Sequence, residues 1–421
     1  MATNKTDKVL NVPTKREHTG AGSGSAERAA LRPQGNVPSL RFPDFTEEWE
    51  KKQLSDIARK TTRKNKNGEI SNVLTNSATH GILPQTEYFE REIANQDNLS
   101  GYYVISNGDF VYNPRRSVSA PCGPINIYKG EADGILSPLY LCFRTFQIDS
   151  EYLNQYFKSD SWHRFIYQHG DSGARHDRVS IRDDVFFEMP LSMPSRNEQK
   201  KISDFLSLLD ERIALQSKLI EDLKKLKSAI VERLYNNEAP KVRLGTLIEQ
   251  VSTRNRDGLI NLVMSVSNKY GFLAQSEQFE DRAVASEDTS NYKIITPGIF
   301  AYNPARINVG SIAQYKANTP CIVSPMYICF KCSREVVGDY LEHFFSTDYF
   351  FKEMEKRLEG SVRLCLSFEA LCNIPMPLPT IEQQQHCATV IGGISKLITT
   401  ESEILRAYIN QKNFLLSTMF I

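Results

Sequence analysis

The sequence lacks any apolar run of the ~18–20 residues that a membrane span needs, and its first residues lack the apolar core of a signal peptide. It also lacks net charge, because 51 basic residues stand against 50 acidic ones. A protein that coats nucleic acid through bulk charge would be far more basic, so any such contact must rest on local patches. We therefore expect a cytoplasmic protein with no membrane role.

A zinc-ribbon pattern is also missing. Of eight cysteines only Cys329 and Cys332 have CxxC spacing, no second CxxC or CxxH accompanies them, and Cys142, the counterpart of Cys329, has no cysteine three residues on. The cysteines lie mostly in apolar, strand-like runs, which is typical of buried thiols in a reducing compartment. We expect no metal site and no bound cofactor in this chain.

What the sequence does have is a long heptad pattern over residues 196–235. Pro194, a possible N-cap at Ser195 and Glu198 three residues later indicate where a helix begins. Apolar residues then recur at alternating spacings of four and three, which predicts a coiled-coil seam on a helix ~60 Å long. This seam comprises Ile202, Leu206, Leu209, Ile213, Gln216, Ile220, Leu223, Lys227, Ile230 and Leu234, of which only Gln216 and Lys227 are polar.

The C-terminal stretch repeats this pattern. Its seam comprises Ile391, Ile394, Ile398, Glu401, Leu405, Tyr408, Lys412, Leu415 and Met419. Glu401 and Lys412 are its polar members and stand where Gln216 and Lys227 stand in the first copy. A parallel pair would stack Lys227 on Lys412, so we predict an antiparallel pair. Placing Gln216 opposite Lys412 and Lys227 opposite Glu401 gives a register in which facing residue numbers add to 628.

The segments before the two helices are also copies of each other. Residues 81–116 align with 271–306 at an offset of 190, with 15 of 36 residues identical, and 137–143 align with 324–330 at an offset of 187. Alternating apolar runs among Gly, Pro and Asn turns indicate β-rich units. We predict a flexible tail (1–37), a first globular domain (38–195), a first helix (196–237), a second domain (238–379) and a second helix (380–421).

Asn113-Pro114, repeated as Asn303-Pro304, is the one pattern that suggests catalysis. Adenine-N6 methyltransferases hold a flipped base with a similar Asn/Asp-Pro-Pro-aromatic loop, but Arg115-Arg116 and Ala305-Arg306 replace its last two residues here. There is also no glycine-rich S-adenosylmethionine loop and no Walker lysine motif. A β-turn with Asn at its first position explains the pattern better, and we expect a chain that is not an enzyme.

The twofold repeat of a globular unit plus a heptad helix resembles the specificity subunit of Type I restriction–modification systems. The opening RFPDFTEEWEKKQLSDIA (41–58) and IPMPLPTIEQQ (374–384) are similar as well. The resemblance implies an α+β fold with two tandem α/β target-recognition domains separated by two long helices that form an antiparallel coiled coil. It implies that each domain reads half of a bipartite double-stranded DNA target. The implied partners are two modification subunits, which use S-adenosylmethionine, and restriction subunits, which use ATP and Mg²⁺.

Loop-like cationic clusters that recur in both copies are the candidate DNA contacts. They are Arg63, Lys64, Arg115, Arg116, Arg175, Arg178, Arg254, Arg256, Arg306 and Arg363. The pairs Arg116/Arg306 and Arg175/Arg363 are the strongest candidates because both copies retain them. Two alternatives stay open: the cations are ordinary solvated charges, or the chain is a non-DNA adaptor with two ligand-binding domains. The helices, similarly, could serve only as a dimerisation coil.

Overall fold

The computed structural model describes residues 35–88, 96–172, 177–235, 239–275, 288–360 and 363–421. The chain forms two compact units, 1–212 with 408–421 and 213–407. Each unit is therefore made of one globular portion, part of the first long helix and part of the second. The predicted tail lies almost wholly outside the described residues, as does Arg175.

The strands of the first unit are short and antiparallel. They are β1 (Glu50–Gln53), β2 (Ala58–Lys60), β3 (Leu74–Ser77), β4 (Gly81–Pro84), β5 (Tyr103–Ile105), β6 (Phe110–Tyr112), β7 (Ile125–Ile127), β8 (Gly134–Leu136), β9 (Leu141–Thr145), β10 (Asp171–Ser172), β11 (Val179–Ser180) and β12 (Pro190–Met193). Strands β2-β9-β6-β7 form the main sheet, and β1-β12, β3-β4, β5-β8 and β10-β11 form two-stranded ribbons.

The helices of this unit follow the β-rich part. They are α1 (Gln85–Tyr88), α2 (Ser150–Lys158), α3 (His163–His169) and α4 (Asp183–Phe187), followed by the long helix α5 (Arg196–Tyr235). Asp149 caps α2 by accepting a hydrogen bond from the backbone N–H of Tyr152. The predicted helix start is close to the observed one, since the Ser195 hydroxyl accepts the Glu198 N–H at 3.4 Å.

The second unit repeats the same sheet order. Its elements are β13 (Lys241–Arg243), β14 (Ile248–Val251), β15 (Met264–Ser267), β16 (Gly271–Ala274), β17 (Lys293–Ile295), β18 (Phe300–Tyr302), β19 (Ile312–Gln314), β20 (Cys321–Val323), β21 (Ile328–Cys332), α6 (Gly338–Phe344), α7 (Asp348–Glu355), α8 (Phe368–Cys372), β22 (Pro375–Pro377) and α9 (Ile381–Met419). Its main sheet is β14-β21-β18-β19, with ribbons β13-β22, β15-β16 and β17-β20. The two units are therefore copies in structure as well as in sequence.

The cores of the two units are built alike. Phe110 stacks on Phe143 at 5.3 Å in the first, and Phe300 stacks on Phe330 at 5.1 Å in the second. In both units the aromatic pair lies across the second and third strands of the main sheet. Burial of its aromatic surface stabilises the core. This common core explains why the aromatic positions are among those that the two sequence copies share.

Each unit also takes up the end of a long helix. In the second unit, Tyr235 at the end of α5 stacks on Tyr340 at 4.7 Å and packs beside Phe344. In the first unit, Phe420, just after α9, packs on Tyr152 at 5.4 Å and on Tyr156 at 6.0 Å. The heptad helices are thus anchored by aromatic residues at their C-terminal ends.

Candidate nucleic-acid interface and helix seam

One basic loop has the same hydrogen-bond pattern in both units. Asn65 donates to the Ile70 carbonyl at 2.8 Å and accepts the Ile70 N–H at 3.2 Å, and Asn255 does the same with Ile260 at 2.9 and 3.2 Å. Both asparagines are buried, and a glycine with positive φ follows three residues later in each loop. The loop backbone is therefore fixed from inside, while the side chains around it face outward.

The cations of this loop differ between the units. In the first, Arg63 forms an ion pair with Asp133 at 3.0 Å, and the Lys64 ammonium lies 5.9 Å from the centre of the Tyr103 ring. In the second, Arg254 donates to the Asn291 side chain at 2.8 Å, and Arg256 is exposed. A common backbone thus presents two different sets of cationic side chains.

The Asn-Pro segments are turns held by their own asparagines. Asn113 accepts the Arg115 N–H at 3.0 Å and donates to the Asn76 carbonyl at 2.9 Å. Asn303 accepts the Ala305 N–H at 3.1 Å, and its carbonyl accepts the Arg306 N–H at 3.0 Å, which closes a β-turn. Both asparagine side chains are thus occupied in Asx turns, an arrangement that favours the turn interpretation over a base-holding loop.

The arginines after these turns have different environments. Arg115 and Arg178 are exposed and face each other in a β-bridge. The Arg116 backbone N–H donates to the Asp177 carbonyl at 2.8 Å, and its Nε is buried without a hydrogen-bond partner in the described part of the chain. Its sequence counterpart Arg306 is exposed. The copies diverge because the second is three residues shorter just after this turn.

Arg363 is carried by a tight loop in the second unit. Glu359 and Cys365 exchange two backbone hydrogen bonds, of 3.0 and 2.8 Å, which brings the two ends of the loop together. Gly360 adopts a φ of +116°, and a Cβ at this position would lie 2.3 Å from the Arg363 carbonyl oxygen. A residue other than glycine would therefore be strained at position 360, and Arg363 itself is exposed.

The helix seam is antiparallel within each unit, as predicted, but the predicted register is wrong. In the second unit Gln216 donates to both the backbone and the carboxylate of Glu401, at 3.1 Å to the backbone oxygen. Further along, Val231 and Tyr235 share a hydrophobic cluster with Cys387 and Ile391. The residue numbers of Gln216 and Glu401 add to 617 rather than 628. Gln216 faces Glu401 and not Lys412.

Lys412, which was predicted to face Gln216, also has a different partner, and this partner lies in the first unit. Lys412 forms an ion pair with Asp210, and Arg212 donates to the Tyr408 hydroxyl at 3.2 Å. Asp210 additionally accepts hydrogen bonds from Gln155 at 2.8 Å and Lys158 at 3.2 Å, both from α2. Lys412 is partly buried, as a seam residue should be, but the carboxylate that pairs with it belongs to a residue beside the seam.

Lys227, predicted to face Glu401, lies instead near α6. It is half-buried, and no carboxylate lies within ion-pairing distance of it among the residues the structure describes. Burial lowers the pKa of Lys227. Burial also lowers the pKa of His343 on α6, and the nearby positive charge of Lys227 lowers it further. Lys227 and His343 are thus two basic groups in the same partly buried environment.

The remaining predicted seam residues are all at least partly covered. Those that are buried are Ile202, Leu206, Gln216, Ile220, Ile391, Leu415 and Met419, and those of intermediate exposure are Leu209, Ile213, Leu223, Lys227, Ile230, Leu234, Ile394, Ile398, Glu401, Leu405, Tyr408 and Lys412. The burial follows the heptad period, as a seam requires. The seam positions are therefore indicated by the spacing of apolar residues in the sequence and not by the pairing of polar residues.

A second apolar stripe runs beside the seam in the second unit. Leu215, Leu219 and Leu226 are exposed; Leu219 and Leu226 occupy the same flanking heptad position of α5, and Leu215 lies one turn before Leu219 on the same side. On α9, Leu397 and Ile404 are exposed at the corresponding flank. In antiparallel pairs these flanks lie on the same side, so the five side chains define one exposed apolar face, here called the flank stripe. None of the five is among the predicted seam residues.

The described residues contain no cluster of His, Cys, Asp or Glu that could hold a metal ion. At the CxxC pair, burial raises the pKa of the Cys329 and Cys332 thiols to about 12 each. None of the helices described is both long enough and apolar enough to cross a bilayer.

Residues 46–225 match the model of the family described as the Type I restriction modification DNA specificity domain. The MjaX specificity subunit of a type I restriction enzyme from Methanocaldococcus jannaschii is 21% identical over 399 residues, which are 86% of this chain and 90% of that protein. The MjaVIII specificity subunit of the same organism is 23% identical over 245 residues, 51% of this chain and 57% of that one.

Solved structures share the fold. The crystal structure of a Type I S subunit from M. genitalium has a TM-score of 0.55 at 15% identity and covers 91% of this chain and 99% of that one. A chain from a study of type I R-M complex assembly and conformational transition has a TM-score of 0.54 at 15% identity, with coverages of 87% and 96%. These S-subunit structures and this chain thus share one fold, in which α+β units are joined to long helices. Over most of its length the chain is similar to Type I restriction–modification specificity subunits.

Proposed function

We propose that this chain gives a Type I complex its DNA sequence specificity, with each unit reading one half of a bipartite double-stranded target. The observation that carries this proposal is the pair of loops anchored by Asn65 and Asn255. Their backbones are held by the same hydrogen bonds, whereas the cations that they present differ. A common scaffold with different side chains is what two readers of different half-sites need.

Shared cations would position the DNA backbone in this proposal. Arg306 and Arg363 are exposed, and Arg306 directly follows a turn closed by its own backbone N–H, so they are suited to meeting phosphates. Arg116 is less suited, because the Nε end of its guanidinium is buried. Residues that differ between the loops, such as Lys66 and Arg256, are better placed to distinguish bases.

The chemistry would come from partner subunits, because specificity subunits are the non-catalytic members of these systems. Two modification subunits would bring S-adenosylmethionine and methylate the target, and restriction subunits would bring ATP and Mg²⁺ and cleave DNA. The flank stripe supports a docking role for the helices, since a row of exposed leucines on an otherwise polar helix is costly in a free protein.

Exchange of one domain tests the assignment of half-sites. Residues 241–378 are replaced by the equivalent domain of another specificity subunit, and the methylated sites are mapped for the assembled complex. One half-site should change while the other stays as it was. A change in both halves, or in neither, would refute the assignment of one unit to each half-site.

Salt dependence and arginine variants test the DNA contact itself. Affinity should fall steeply with salt, with a log–log slope of about −0.9 per phosphate neutralised. Arg306→Ala and Arg363→Ala should each weaken cognate and non-cognate binding alike and flatten the slope by about one. A salt-independent affinity would favour the rival adaptor role, in which the two units hold protein ligands.

A further inference from the structure

Each unit exposes an apolar side chain at the tip of the same tight turn. In the first unit the Tyr140 N–H donates to the Ser137 carbonyl at 3.0 Å, and in the second the Tyr327 N–H donates to the Ser324 carbonyl at 3.1 Å. The third residue of the turn is Leu139 in one and Met326 in the other. Their side chains are 62% and 59% exposed, although this turn position ordinarily carries Gly, Asn, Asp or Ser.

In both units a hydrogen bond to the hydroxyl group of the last residue of the turn, a tyrosine, holds the turn in place. The Tyr140 hydroxyl lies 3.3 Å from the Thr75 hydroxyl, and the Tyr327 hydroxyl accepts the Val266 N–H at 3.3 Å. Proline precedes the exposed residue in both copies and restricts the backbone further. Leu139 and Met326 therefore stand on rigid supports that hold them in solvent, and neither can fold back into its own core.

Cations lie beside both turns. In the first unit Tyr103 pairs across the ribbon with Leu136, which directly precedes the turn, and Lys60 and Lys64 lie 5.7 and 5.9 Å from the centre of the Tyr103 ring. Neighbouring strands are about 4.8 Å apart, and the backbone of Lys64 lies two such spacings from the turn. This distance is roughly the width of a DNA groove.

The second unit has the same arrangement with different residues. Lys293 occupies the place of Tyr103, and its ammonium donates to the Tyr327 carbonyl at 2.6 Å. Arg254, the counterpart of Lys64, forms a β-bridge with Lys293. An apolar tip beside cations thus occurs twice, by residues that are not identical, which points to a shared use.

We propose that Leu139 and Met326 make apolar contacts with DNA bases, one in each half-site, while the neighbouring cations hold the adjacent phosphates. The inference rests on the proposed function. The cations favour a polyanion over a protein surface as the occupant, and a rigid apolar tip carried next to a phosphate site reaches into a groove. There it can pack against a thymine methyl group or an exposed base face.

The test uses the specificity subunit assembled with its modification subunits and duplexes carrying the cognate target, a target altered in one half-site, or no target. Leu139→Ser should weaken cognate binding by about three- to tenfold, with little change in binding to DNA that lacks the target, because only base contact is lost. Met326→Ser should do the same for the other half-site. Leu40→Ser, at a 39% exposed leucine outside the basic loops, the two turns and the flank stripe, is the matched control.

The outcomes separate this inference from the proposed function. If the unaltered complex prefers the cognate duplex and both serine variants keep that preference in full, the base contact is wrong and the proposed function stands. Equal loss on all duplexes would make the tips backbone contacts, and loss of subunit assembly would make them a protein-docking feature; either result overturns the inference. If the unaltered complex itself shows no preference, the proposed function fails first.

Discussion

Lys412 on α9 forms an ion pair with Asp210 on α5, in the part of the helix seam that belongs to the first unit. The Lys412 side chain is only 12% exposed and that of Asp210 33%. Burial opposes ionisation of Asp210, but Lys158, Gln155 and Lys412 together outweigh it and lower the pKa of the carboxyl group. One carboxylate therefore serves two lysines at the contact between the helices and α2.

Replacing Asp210 with Asn should destabilise the protein because it leaves Lys412 and Lys158 together without their counter-charge. We expect a loss of about 1–2 kcal/mol in the free energy of unfolding, less than for a fully buried pair because Asp210 is partly hydrated. Urea unfolding measures the loss. Asp204→Asn, which removes an exposed pair with Lys200 on the same helix, should cost under about 0.5 kcal/mol. Equal losses for the two variants would contradict this account.

The observed register predicts which polar pairs are energetically coupled. A double-mutant cycle of Gln216→Ala and Glu401→Ala should give a coupling of about 0.5–1.5 kcal/mol, because each side chain loses the same hydrogen bond. The cycle of Lys227→Ala and Glu401→Ala should be additive, since Lys227 lies near α6. The 628 register predicts the reverse, so coupling only in the second cycle would restore it.

The repeat and the sheet-rich units follow from the spacing of residues in the sequence, and the antiparallel direction follows from the two lysines that a parallel pair would stack. The register was not predictable in the same way. A heptad pattern meshes equally well after a shift of several turns, so the choice depended on matching polar residues within the seam. The observed partner of Lys412 is Asp210, which lies just beside the seam. Asp210 also accepts hydrogen bonds from two residues of α2. Only the folded unit brings those groups together.

The equivalence of Arg116 and Arg306 could not be judged from the sequence for a related reason. Their positions match in the alignment, but the second copy loses three residues directly after Arg306. The loop that follows Arg116 runs to β7 at Ile125, whereas Arg306 leads into a short 3₁₀ turn, Ile307–Val309. Loop length decides which side chain is partly buried and which stays exposed.

His343 should make the second unit less stable in mild acid. Burial and the charge of Lys227 hold the pKa of His343 below its ordinary 6.5, so the folded state favours the neutral ring. The unfolded chain takes up a proton first as the pH falls, and stability is therefore lost between an unfolded pKa near 6.5 and the lower folded one. Charged groups of Glu342, Lys316 and Asp339 also act on the ring.

An NMR titration of the His343 ring checks this assignment directly. Its pKa should lie below 6.5 in the unaltered protein and should rise in Lys227→Met, because one positive neighbour is removed. His343→Gln should reduce the loss of stability between about pH 7 and pH 5. An unchanged His343 pKa in Lys227→Met would show that Lys227 does not act on the ring.

The flank stripe should be needed for assembly with the modification subunits and not for folding. Leu219 and Leu226 are exposed in the free chain, so Leu219→Glu with Leu226→Glu should change its free energy of unfolding by no more than about 0.5 kcal/mol per site. Docking would bury both side chains, and buried carboxylates without partners should then abolish stable complexes. Co-purification and sedimentation of the mixed subunits measure assembly.

Ser217→Glu with Ser228→Glu is the matched control, because it adds the same charge at exposed positions away from the stripe on the same helix. This pair should assemble as the unaltered chain does. If the stripe variant assembles normally, the helices dock elsewhere. If both variants fail equally while remaining folded, added negative charge on α5 explains the loss and the apolar face does not.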